Sequence, residues 1–77
     1  MSRELPASPA PVAVVATHFS TKRPGWGMRV AVLASGEFGV YSVSPIDGRP
    51  TARLFDRVST EEQARGIANR EWVGMGL

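Results

Sequence analysis

The sequence predicts an α+β fold: an antiparallel four-stranded β-meander with one C-terminal α-helix packed on one face (ββββα). Three observations carry this expectation. Short runs rich in β-branched and other apolar residues recur between residues 12 and 57, separated by breaks bearing Gly, Pro or both. Beyond Ser59 the apolar residues fall three and four apart instead of two. The chain has 77 residues, 43% of them hydrophobic, which is enough for one core and too few for a second.

Residues 1–11, MSRELPASPAP, hold three prolines among small and polar residues without periodicity, and read as a flexible N-terminal tail. A single domain then spans residues 12–77. Residues 12–19, VAVVATHF, are too short a β-branched window for a stable helix and read as the first strand. STKRPGWG (20–27) breaks it with Pro24, Gly25 and Gly27. MRVAVLA (28–34) and FGVYSV (38–43) flank Ser35, Gly36 and Glu37 as a hairpin. SPIDGRP (44–50) reads as a turn, because Pro fixes φ and Gly48 accepts φ > 0. A fourth strand runs from Thr51 to Arg57.

The helix from Ser59 places Ala64, Ile67, Ala68, Trp72 and Met75 on one stripe. Either Ser59 with Glu62 or Thr60 with Gln63 fits the capping box, in which side chains satisfy the free N–H groups of the first turn. Gly74 and Gly76 end it. Short connections make consecutive strands pair, although the 20–27 loop also lets the first strand move to the other edge.

Strand alternation places Val12, Val14, Ala16, Met28, Val30, Val32, Phe38, Val40, Ala52 and Leu54 beneath the helix. The opposite parity carries Val15, Phe19, Arg29, Ala31, Leu33, Tyr41, Val43, Arg53, Phe55 and Arg57. A single helix cannot cover both faces, so this second face either exposes a mixture of apolar, aromatic and arginine side chains or is partly covered by the tail, the 20–27 loop and Trp26 as the strands twist. The register of the 35–37 turn is open between two and three residues, and with it the face that Tyr41 takes.

Composition narrows the chemistry. With no cysteine there is no disulfide, thiolate zinc site or iron–sulfur ligation, and the lone His18 cannot build a multi-histidine metal site. No cofactor or metal is therefore expected. His18 has no nucleophile and orienting acid at a recognisable spacing, and the PGWG and SGEFG glycines lack the spacing of a phosphate-binding loop. The chain thus reads as a non-enzyme. Its apolar segment 12–16 falls far short of the roughly 20 residues a membrane span requires, and its start is a poor signal peptide, so the expected location is cytoplasmic.

What remains is binding. Trp26, between two glycines and beside Lys22 and Arg23, is either a partner anchor or a lid folded back on the sheet. Tyr41 and Phe55 with Arg29, Arg53 and Arg57 complete the candidate contact set, for a protein partner or for a second copy of the chain. The alternative is sequence-tolerant DNA or RNA binding through the arginines, with Arg53 and Arg57 on one side of the last strand and Phe55 between them. A net charge of only +2 does not by itself argue for nucleic acid.

Two resemblances bear on the partner. The segment GVYSVSPIDGRPTARLFDRVSTEEQARGIANREW (39–72) resembles the amino-terminal arm-binding domains of phage-type integrases, related to AP2 domains, in which a small sheet precedes a helix and enters the major groove. The strand-to-helix junction ARLFDRVSTEEQ (52–63) is similar to that of small phage-encoded anti-CRISPR proteins built as a meander plus helix. The second resemblance implies a phage or mobile-element protein that occupies a surface on a larger host complex, such as a CRISPR-Cas effector. Neither resemblance carries over a functional residue.

Overall fold

The structure is a computed structural model that describes residues 11–77; the tail read at 1–11 lies, but for its last residue, outside them. Four strands follow in order, β1 (Ala13–Phe19), β2 (Gly27–Val32), β3 (Phe38–Ile46) and β4 (Arg49–Val58), and then one helix, α1 (Glu61–Gly74). The strands form one antiparallel sheet in the order β1-β2-β3-β4, with the helix packed on one face: the α+β meander that the sequence predicts. β1 stays beside β2, which resolves the choice the 20–27 loop left open.

Turn chemistry sets the registers. Asp47 and Gly48 both take positive φ, 54° and 78°, the signature of a two-residue primed turn that matches the strand twist. Pro45 and Ile46 therefore belong to β3, and Arg49 and Pro50 to β4, where the sequence reads a turn from 44 to 50. Between β2 and β3 the connection is Ala34, Ser35 and Gly36. Gly36 takes φ 90° and its N–H donates to Leu33 O at 2.9 Å, while Leu33 N–H donates to Glu37 O at 2.8 Å. Val32 thus faces Phe38, and Tyr41 faces Arg29.

Met28, Val30 and Val40 are buried beneath the helix with Ala64 and Leu77, and Phe38, Ile67, Ala68 and Trp72 pack against them as expected. Three placements differ from alternation. Ala52 and Leu54 pair with Val43 and Tyr41, so they lie on the face away from the helix, because a two-residue turn matches even positions of β4 with odd positions of β3. Val15 is the extra residue of a bulge between Val14 and Ala16; it packs into the helix-side core, while Val14 pairs with Ala31 of the other face. Phe55 is the extra residue of a second bulge, which returns Asp56 opposite Val40 and puts Arg57 opposite Gly39.

The face away from the helix is only partly the open surface that composition suggests: Val14 and Arg57 are exposed on it, but its middle is closed. Ala31, Leu33 and Tyr41 form a second buried cluster, with Ala52 and Leu54 against it, and Val43 is buried as well. Gly39 makes this packing close: a Cβ there would stand 3.0 Å from Tyr41 Cε1, 3.1 Å from Leu54 Cδ1 and 3.2 Å from Leu33 Cδ2. The turn that delivers Leu54 to this face thereby draws part of the apolar surplus against a core.

At the start of the helix Thr60 is the N-cap. Its hydroxyl accepts from Gln63 N–H at 3.2 Å, and Gln63 Oε1 accepts from Thr60 N–H at 3.3 Å. That is the second of the two capping boxes the sequence offers. Glu61 and Glu62 occupy the first turn, where the helix dipole favours negative charge.

Candidate binding surface

The six residues singled out from sequence do not form one surface. Trp26 is half-buried and packs against the helix-side core, and the Arg23 guanidinium sits 4.3 Å from its ring centre. The loop that carries it is tied down. Ser20 Oγ accepts from Lys22 N–H and Arg23 N–H, both at 3.0 Å, and donates to Leu77 O at 2.9 Å, while Arg23 Nη1 donates to Met75 O at 3.2 Å. Trp26 is thus the folded-back lid, latched to the end of α1.

Tyr41 is buried, at 3% exposure, which corrects its reading as a contact residue. Burial pushes its phenol above the ordinary 10.0, partly opposed by the neighbouring Arg29. Arg29 is half-buried, with its Nε donating to Thr17 Oγ1 at 3.0 Å. Arg53 pairs with Ser42 on the helix side of the sheet and Arg57 with Gly39 on the other, so the bulge at Phe55 separates the two arginines that alternation had placed together. Phe55 itself remains half exposed, at 49%.

The open apolar surface lies elsewhere, along β1. Val12, Val14 and Phe19 are exposed at 67%, 52% and 51%. The helix packs chiefly on β2, β3 and β4, so the helix side of β1 is left as one wall of a groove of about 420 Å³. Ala16, His18, Met28 and Val30 line its sheet side, Phe19 its end, and Arg65, Ala68, Asn69 and Trp72 its helix side. The helix contributes these four because positions i, i+3, i+4 and i+7 share one face. Arg65 is held at the rim by Glu61, Nε to Oε2 at 2.7 Å.

Beside the groove runs the free edge of the sheet, since among the described residues β1 pairs only with β2. Ser20 N–H donates to Trp26 O, and Ser20, His18 and Ala16 alternate in register against Trp26, Met28 and Val30. The main-chain groups of Thr17 and Phe19 therefore turn outward to the edge. The two edges of the sheet differ in charge. β4 carries Arg49, Arg53, Asp56 and Arg57 with Pro50 and a bulge, the usual protection against edge pairing, whereas β1 has no Asp, Glu, Lys or Arg. That asymmetry between the first and last strands of the meander was readable in the sequence and is the signal that locates the surface.

Among the described residues no group of three or more His, Cys, Asp or Glu side chains comes together, and no helix is long and apolar enough to cross a membrane. Compared with known proteins, the chain matches no protein family, no curated protein and no solved structure.

Proposed function

We propose that the chain is a small non-enzymatic binding protein that acts by occupying a surface on a larger protein complex, with the β1 edge and its groove as the contact surface. The observation that supports this most is an edge strand without charge, which exposes Val14 on the side of the sheet away from the helix and borders an uncovered groove on the helix side. An exposed edge of this kind is normally blunted unless pairing is its purpose. A photo-crosslinking side chain in place of Val14 tests the reading, with one in place of Phe55 as the comparison. In cells that produce the protein, position 14 should yield a covalent adduct with a defined protein and position 55 should not. Adducts only from position 55, or only with nucleic acid, would refute it.

A CRISPR-Cas effector is the particular complex that the anti-CRISPR resemblance suggests. Cleavage by effectors of the organism that carries the protein should fall when the protein is added in excess, and undiminished cleavage removes that partner. The nucleic-acid alternative has less to stand on, since Arg53 and Arg57 lie on opposite sides of the sheet and Arg29 is engaged with Thr17.

A further inference from the structure

We infer that the β1 edge takes up an extended strand from a partner protein, one that carries a bulky apolar side chain into the groove between β1 and α1. The inference rests on the surface proposed above and adds how it binds. The main-chain groups of Thr17 and Phe19 are spaced to bond a strand and no other backbone shape, because donors and acceptors recur along an edge at the two-residue repeat. Every second side chain of an added strand then faces the helix side, where the floor is formed by Ala16, Met28 and Val30 and the far wall by Ala68 and Trp72. That lining is apolar apart from His18, Arg65 and Asn69, and at about 420 Å³ the groove falls within the range of ligand-sized clefts.

A second copy of this chain fits less well. Two β1 strands paired antiparallel across a two-fold axis normal to the sheet keep both helices on one face, so each copy would offer the other's groove its own groove-side residues, Ala16 and His18. One is small and the other polar, and the groove would stay unfilled. The strand that fits is foreign: uncharged along the paired stretch, free of proline there, and bearing a large apolar residue on the alternate that faces α1.

The test uses the full chain and a seven-residue peptide, acetylated and amidated, alternating threonine and valine with phenylalanine at its centre. Titration followed by amide NMR should move β1 and the helix positions 65, 68, 69 and 72. N-methylation of one alternating set of peptide amides should weaken binding at least tenfold, and methylation of the other set less than twofold, because only every second amide reaches β1. The variant Ala16→Leu, checked for unchanged thermal unfolding, should weaken the phenylalanine peptide at least tenfold and a peptide with alanine at that place less than threefold. Equal effects of the two methylation patterns, or no binding up to the solubility limit, overturn the inference. So does protection of the Thr17 and Phe19 amides by self-association without peptide, which would assign the edge to a second copy. Crosslinks from position 14 to a protein, together with failure of the peptide, refute strand addition and leave the contact surface standing.

Discussion

Gly27→Ala is expected to unfasten the end of β1. Gly27 pairs with Phe19, and a Cβ at this position would stand 2.1 Å from the His18 carbonyl oxygen and 3.0 Å from Phe19 Cα. Both are backbone atoms, so no side-chain rotation relieves the clash; the end of β1 must retreat by roughly 1 Å or more to recover ordinary contact. That movement breaks the ladder at Ser20 N–H to Trp26 O, 2.8 Å, and at the neighbouring His18–Met28 pair. Two hydrogen bonds at about 1 kcal/mol each, with overpacking strain of about 1–3 kcal/mol, put the loss near 2–4 kcal/mol after the small entropic gain of replacing glycine. In a domain of this size that lowers the thermal midpoint by roughly 10–30 °C. Far-UV circular dichroism on heating measures it. A fall under about 3 °C would mean that β1 does not approach β2 as closely as described, and the groove, whose wall includes His18 and Phe19, would lose its definition with it.

Gly66→Ala should act in the opposite direction: nothing lies within 4 Å of the added Cβ on the exposed helix face, so a gain of about 0.5–1 kcal/mol is expected in the same assay. Tyr41, the only tyrosine, should titrate above 10.0 by its ultraviolet absorbance because burial disfavours the phenolate. Its folded pKa is raised, so the associated stability is intact below pH 10.0 and is lost as pH rises through the folded value; denaturant unfolding at pH 9 and 11 should show that loss in the wild type and a smaller one in Tyr41→Phe. The double variant Arg53→Ala, Arg57→Ala should leave any weak affinity for duplex DNA within about threefold and its salt slope nearly unchanged; a fall of the slope magnitude by about 2 would restore the arginine face as a nucleic-acid surface.

The element order, the antiparallel pairing and the helix cap are legible in the sequence because each rests on local chemistry: β-branched runs, glycine turns, and Thr60 three residues ahead of Gln63. The allocation of side chains to faces is only partly legible. Met28, Val30, Phe38 and Val40 follow alternation because no bulge interrupts β2 or its pairing with β3. Ala52 and Leu54 go to the other face through the parity of the Asp47–Gly48 turn, which the sequence does contain once the turn is taken as two residues. The bulges at Val15 and Phe55 have no local marker, since neither contains a glycine, and they arise from long-range pairing. The same turn parity moves Arg53 to the helix side, away from Arg29, while the Phe55 bulge returns Arg57 to the face that alternation predicts for it. The candidate surface moved for a related reason: counting apolar residues per face locates surplus, but which part of it is buried depends on where the helix sits across the sheet. An α1 placed over β2, β3 and β4 reaches β1 only through Val15 and leaves the outer edge of β1 uncovered.

Residue-by-residue hydrogen exchange of the full chain, free and with its partner bound, tests the central claim most directly. In the free protein the amides of Thr17 and Phe19 should exchange nearly as fast as in an unstructured peptide while those of His18 and Ser20 are protected, and binding should slow Thr17 and Phe19 selectively. Protection of both amides in the free monomer, or partner-induced slowing confined to β4 around Arg53 and Arg57, would contradict it.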